Sequence, residues 1–244
     1  MAHVETHADL ELESPDLVEG LPGVGLVGKI ATDHIVQTLD MDHYASCYCE
    51  GIPRAVVYES GARSLRPPVR IYADESRDLL TLQSDVPVSP ERAPDFSTCL
   101  AGWFEEMDAT PLCLSGLAQK QGDVPQVFGI GSGEGASRLD DIGLDTPPEN
   151  GLISGPTGAL LAEVGELGHD GIGLVVEANP QFPDPEAARA LVLQAIEPLT
   201  GIDIPTEQLV EQAEEIASAK EKLAKQMQEA TEESSQAKPL GMYQ

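Results

Sequence analysis

Lysine is scarce: before residue 205 only Lys29 and Lys120 occur, and the 244 residues hold 14 Lys+Arg against 42 Asp+Glu, a formal net charge of −28. So few cations argue against a nucleic-acid partner, because phosphate contact needs positive side chains that release counterions. Anionic membrane surfaces are disfavoured on the same ground. The start, Met1-Ala2-His3-Val4-Glu5, lacks a basic region and an apolar run, and no stretch reaches the roughly 18 apolar residues of a membrane span. The expectation is a cytoplasmic protein. Cys47, Cys49, Cys99 and Cys113 lack the paired spacing of a zinc site, and disulfides are uncommon in cytosol, so all four are expected as small core residues.

Catalytic patterns are equally thin. His3, His7, His34, His43 and His169 show no metal-ligand spacing; His34 or His43 could act as a general base, but lone histidines are more often structural or solvated. No G-x-S-x-G elbow occurs. Gly131-Ser132-Gly133-Glu134-Gly135 comes near it but lacks an apolar flank on its far side, which predicts a mobile loop. No metal and no cofactor is expected.

Acids are spread through every segment instead of gathered in one run. Uniform acidity with little lysine keeps a protein solvated where molar salt screens charge and competes for water. This composition implies a halophilic, archaeal cytoplasm.

Between Asp16 and Ile202, short apolar runs alternate with amphipathic stretches, which predicts an α/β fold with helices covering a sheet. Strands are expected at Asp16-Gly20, Ala45-Glu50, Arg70-Ala73, Asp78-Gln83, Thr110-Gly116, Gln126-Ile130, Gly151-Ser154 and Gly171-Glu177. Several are apolar on both faces, as in a buried sheet. Helices are expected at Gly25-Leu39, Pro90-Asp108, Gly155-Leu167 and Pro185-Thr200, the last opened by the cap and first-turn proline Asp184-Pro185-Glu186. After Pro205, Thr206 to Thr231 has neither glycine nor proline and reads as one helix. Its apolar positions Leu209, Ala213, Ile216, Leu223, Met227 and Ala230 form a seam, which could join subunits or pack back on the same domain. The expected organisation is a flexible N-terminus (1–15), an α/β domain (16–204), a C-terminal helix (205–231) and a flexible tail (232–244).

The densest motif is Glu19-Gly20-Leu21-Pro22-Gly23-Val24-Gly25-Leu26-Val27-Gly28-Lys29, a strand end passing through a glycine turn into a helix. Gly23, Gly25 and Gly28 satisfy G-x-G-x-x-G, which can bring backbone N–H groups to a pyrophosphate. Asp40, Asp42 and Glu50 lie near the spacing of a ribose-binding acid, but none stands clearly at the end of a second strand. The competing reading, favoured here, is close helix-to-sheet packing with no ligand.

Gly20, Pro22, Gly23, Gly25 and Gly28 resemble the opening block of the archaeal proteasome assembly chaperone family. The resemblance continues at Ile153-Ser154-Gly155-Pro156-Thr157-Gly158-Ala159-Leu160-Leu161, at Glu177-Ala178-Asn179-Pro180 and at Pro183-Asp184-Pro185-Glu186-Ala187-Ala188, so that it spans roughly residues 16–230. It implies a phosphorylase-like domain with a central mixed sheet flanked by helices, followed by the long C-terminal helix and tail. It also implies a homo-oligomer and a proteasome partner.

The family is also described as related to ATP-dependent carboligases, which keeps a nucleotide-dependent enzyme using the Gly23–Gly28 loop as the alternative. Such an enzyme needs cations on the phosphates. Here Arg54, Arg63, Arg66, Arg70 and Arg138 form no phosphate-binding motif.

The sequence ends Met242-Tyr243-Gln244, similar to the hydrophobic-tyrosine-any-residue ending by which proteasome activators enter pockets between α-ring subunits. The expectation is a non-enzymatic binding protein docking these three residues on the α-ring of the proteasome core particle, as assembly chaperone or as activator.

Overall fold

A computed structural model of the chain describes residues 2–58, 60–61, 63–119 and 124–218. Ten strands are defined among them: β1 (Val4–Thr6), β2 (Asp16–Gly20), β3 (Asp42–Cys47), β4 (Val57–Tyr58), β5 (Leu65–Arg66), β6 (Val69–Asp74), β7 (Leu79–Ser84), β8 (Thr110–Ala118), β9 (Val127–Ser132) and β10 (Gly171–Ala178). Eight form one sheet in the order β1-β3-β6-β7-β2-β8-β10-β9. The central strands β7, β2, β8 and β10 are parallel, and the flanks are antiparallel. This is the expected mixed sheet.

Strand alternation divides the core. Val18 packs with Val27, Ala31 and Ile35 of α1 (Val27–Thr38) on one face, while Leu17 packs with Phe96 and Leu100 of α2 (Ala93–Glu106) on the other. The first face is completed by Ile172, Leu174, Val176 and Ala178 of β10 against Ala188, Leu191 and Val192, contributed by α5 (Pro185–Leu191) and the π turn that follows it. Leu160 and Val164 of α4 (Gly155–Glu166) complete the second. Side chains such as Leu17 and Phe96, with no exposed surface, contribute roughly 1.5–3 kcal/mol each.

Asp184 caps α5 as expected: its Oδ1 accepts from the Ala187 N–H at 3.1 Å, with Pro185 at the first position. The helix runs through the π turn Val192–Ile196 into α6 (Glu197–Thr200) and stops at Gly201, whose φ of 71° supplies the left-handed cap. No helix among the described residues is long and apolar enough to cross a membrane.

Several expectations need correction. Residues 151–154 form no strand; β10 already has β8 and β9 as its neighbours, and Leu152 is 89% exposed. Within the stretch expected to be a flexible N-terminus, Val4–Thr6 pairs with Ala45–Cys47 of β3, a strand too short to leave a periodic signal. The glycine-rich stretch 131–135 is the end of β9, a turn, and the first residue of α3 (Gly135–Asp141).

Cys47 and Cys113 are buried free thiols, but Cys49 and Cys99 form a disulfide joining the chain beyond β3 to α2. Fifty residues separate the pair in sequence, so only the tertiary path brings them together.

Helical backbone covers 207–218. There Leu209 is buried, and Ala213 and Ile216 are partly buried. Leu223 and Met227 of the expected seam, and Met242, Tyr243 and Gln244, lie outside the described residues.

Candidate functional site

The three sequence blocks meet at the carboxyl ends of the parallel strands, where open α/β sheets hold their ligands. The first block supplies the turn from β2 to α1. Gly25 has φ 64°, and a Cβ there would stand 3.2 Å from the Ala178 Cβ, the Asn179 carbonyl and the Asp184 Cβ. Its carbonyl accepts from the Asp184 N–H at 2.8 Å, and Asp184 Oδ2 accepts from the Asn179 N–H at 2.8 Å. The first and third blocks are thus clasped.

Across the sheet, Glu19 Oε1 accepts from the Leu21 N–H at 3.1 Å and from Thr157 Oγ1 at 3.2 Å, joining the first block to the second. Glu19 is fully buried, and its Oε2 has no hydrogen-bond partner among the described residues. Burial pushes its carboxyl up to about 7, against the opposing effect of the hydrogen bonds from Leu21 and Thr157.

The remaining glycines of the turn divide by position. A Cβ on Gly20 would overlap the Thr32 side chain, and one on Gly28 would stand 3.2 Å from the Leu21 carbonyl. From the facing strand β8, a Cβ on Gly116 would come within 2.5 Å of the Val24 carbonyl. Only Gly23, with φ −143°, looks onto open space, and Pro22 leads into it. The turn is therefore closed by protein on most sides. The bare Cα atoms of Gly20, Gly28 and Gly116 permit the close approach of α1 and β8 to the turn. Leu26, a non-glycine residue at φ 52°, is exposed where the turn enters α1.

Lys29, the cation nearest the turn in sequence, is already paired. Its Nζ lies 2.9 Å from Asp33 Oδ2 and 2.9 Å from Asp85 Oδ1, while Arg70 Nη2 lies 2.7 Å from Asp85 Oδ2. Partial burial alone would raise the Asp85 carboxyl, but hydrogen bonds from Lys29 and Arg70 outweigh it and hold the group below its usual range. Arg70 also donates to Gln83 Oε1 at 3.1 Å and to the Tyr72 hydroxyl at 3.0 Å.

The other candidates for chemistry lie elsewhere. His34 Nε2 donates to the Pro205 carbonyl at 2.7 Å, anchoring the approach to the late helix. His43 sits with His7 and Ser46, and burial followed by the neighbouring His7 holds its imidazole below the ordinary value. Ser132 Oγ donates to the His169 carbonyl at 3.1 Å. None of these is brought to the glycine turn. The sequence did not single out Glu19 as the buried link between two blocks; its place at the end of an apolar strand facing a glycine-proline helix start was the available signal.

Residues 17–224 match the model of the PAC2 family. The chain belongs to the PAC2 family. An uncharacterized protein of Methanocaldococcus jannaschii is 29% identical over 221 residues, covering 90% of this chain and 89% of that protein. Among solved structures, Pyrococcus furiosus PbaA, described as an archaeal homolog of proteasome-assembly chaperone, superposes with a TM-score of 0.79 at 27% identity, covering 95% of this chain and 100% of that one. Pyrococcus furiosus PbaB, described as an archaeal proteasome activator, shares the fold with a TM-score of 0.77 at 24% identity, covering 91% of this chain and 98% of that one. The PAC2 match takes in all three blocks of the junction and the first part of the late helix.

Proposed function

We propose that this PAC2-family chain is a non-enzymatic proteasome assembly chaperone or activator-like protein of a haloarchaeal cytoplasm. It acts as a homo-oligomer and docks Met242, Tyr243 and Gln244 on the α-ring of the core particle. The observation that carries this reading is its likeness to PbaA along nearly the whole of both chains. The glycine junction supports it: a Cβ on Gly20, Gly25 or Gly28 would stand 3.2 Å or less from neighbouring protein atoms, and Lys29 is already bound by two carboxylates.

In this reading the body, phosphorylase-like in its sheet and helix layers, presents the late helix. The seam begins at Leu209, Ala213 and Ile216 and continues through Leu223 and Met227 to pack within or between subunits. The terminal carboxylate offers charge to a basic pocket residue, Tyr243 adds a large ring with a hydroxyl, and Met242 adds apolar burial. Several tails on one oligomer bind with avidity.

The test is capture of purified archaeal core particle, in molar salt, by the intact chain and by a chain lacking Met242-Tyr243-Gln244. Capture by the intact chain and its loss with the three residues is expected. Equal capture by both removes the tail from the mechanism. Absence of capture together with ATP binding that is abolished by Gly25→Trp would favour the nucleotide-dependent enzyme.

A further inference from the structure

Residues 52–70 carry Arg54, Arg63, Arg66 and Arg70 against one acid, Glu59, in a chain of formal charge −28. Arg70 is buried in the ion pair with Asp85, whereas Arg54 and Arg63 are exposed. This segment leaves the end of β3, forms the β4–β5 ribbon and returns into β6. Among the described residues the two ribbon strands pair only with each other, and an isolated two-stranded ribbon is marginal in water. It nevertheless exposes Val56 by 60%, Tyr58 by 81% and Leu65 by 67%. Between the ribbon and the end of β3 runs a groove of about 970 Å³, lined among others by Tyr48, Ile52, Arg54, Val56 and Leu65.

A cationic and apolar surface on so acidic a molecule is complementary to most of the rest of that molecule. An apolar wall and carboxylates occur together in a cleft of about 140 Å³, with Ala101, Phe104 and Val164 in its wall and Glu105, Asp108 and Asp170 beside them. Strands β3, β7, β2, β8 and β10 run in one direction. The ribbon therefore leaves the carboxyl edge of the sheet, while the cleft sits at the amino ends of β8 and β10, so one chain cannot place its ribbon in its own cleft. Two ribbons facing each other would oppose arginine to arginine, which disfavours a symmetric ribbon-to-ribbon pair.

We propose that the β4–β5 ribbon docks on the acidic cleft of a second copy of this chain, Arg63 meeting Glu105, Asp108 and Asp170 while Tyr58 and Leu65 cover the apolar wall. The guanidinium fork suits carboxylates and its stem packs on apolar surface. Concentrated salt screens exposed charges, but ion pairs closed over by the contact are screened much less, so charge pairing and apolar burial act together. The contact rests on the homo-oligomer of the proposed function and supplies its interface.

The test is the mass of the full chain by sedimentation equilibrium in molar salt, for the native sequence, Arg63→Glu, Tyr58→Ser with Leu65→Ser, and Arg63→Glu combined with Glu105→Arg and Asp108→Arg. Circular dichroism confirms that each variant is folded. The native chain is expected to associate, both ribbon variants to weaken association at least tenfold, and the charge-exchanged chain to regain it. A monomeric native chain overturns the contact, as does association unchanged by the ribbon variants or unrestored by the exchange. Tail-dependent capture of core particle by a monomeric chain would leave the docking reading standing while this one falls. Ribbon variants that keep their mass but lose that capture would assign the ribbon to another protein instead.

Discussion

The glycine junction and the β4–β5 ribbon are opposites. At the junction, Gly20, Gly25 and Gly28 are pressed against Thr32, Ala178, Asn179 and Leu21, and Asp184 is hydrogen-bonded to both neighbouring segments. At the ribbon, Val56, Tyr58 and Leu65 face solvent beside Arg54 and Arg63. The region that draws the eye in the sequence is the one with the least free surface. A glycine-rich motif announces that backbones come close, and the structure decides whether the other party is a ligand or the protein itself.

The largest expected effects come from filling the junction. Gly116→Val would push a side chain into the Val24 backbone 2.5 Å from the Cβ position. Backbone cannot swing aside as a long side chain can, so a loss of about 3 kcal/mol or more is expected in urea unfolding. Gly25→Ala adds the cost of a left-handed φ of 64° to contacts at 3.2 Å, for roughly 1–3 kcal/mol. Gly23→Ala meets nothing within 4 Å at an ordinary φ, and a change within about 0.5 kcal/mol is expected. A phosphate cradle would invert the comparison: Gly23→Ala would then weaken ATP binding while leaving stability alone, and that outcome would break the contrast drawn here.

Glu19 gives the junction a pH signature that the ribbon cannot have. Burial pushes its folded carboxyl up to about 7 from an ordinary 4.5, so between those values the unfolded chain loses its proton while the folded chain keeps it. Stability contributed by this group is full below pH 4.5, falls as the pH rises, and stays reduced above about 7. Glu19→Gln removes the titration while its amide oxygen can still accept from Leu21 and Thr157. The stability difference between variant and native chain should therefore move in favour of the variant by about 1–3 kcal/mol from pH 4.5 to pH 8. Comparing slopes cancels any constant penalty of a buried amide N–H. Parallel profiles would mean that water or local opening reaches Glu19.

The layered fold was legible because central strands buried on both faces and helices with one apolar face leave period signals that β2, β8, β10, α1 and α5 all carry. What escaped notice depends on contacts distant in sequence. Val4–Thr6 becomes a strand only beside β3, Cys49 and Cys99 become a disulfide only because α2 lies beside the chain after β3, and 151–154 fails to be a strand because β9 occupies the edge. The junction was half legible. Its glycines and the Asp184 cap stand out in one dimension, but the hydrogen bond from Thr157 to Glu19 joins positions 138 residues apart, and no local pattern predicts it.

The smallest expected effect is also the sharpest test of the comparison. If the ribbon is a contact surface instead of part of the core, Arg54→Glu and Tyr58→Ser should leave the unfolding free energy of the dilute, unassociated chain within about 0.5 kcal/mol of its native value, as exposed side chains do. Each ribbon strand is two residues long and, among the described residues, pairs only with the other, so little cooperative structure depends on it. Two series of urea melts, one at low and one at high protein concentration, separate the roles. The native midpoint should rise with concentration as association stabilises the folded form, and the variants should not follow it. A ribbon variant that instead lowers the midpoint equally at every concentration would place Tyr58 among the residues that hold the fold, and the division between a closed junction and an open ribbon would fail.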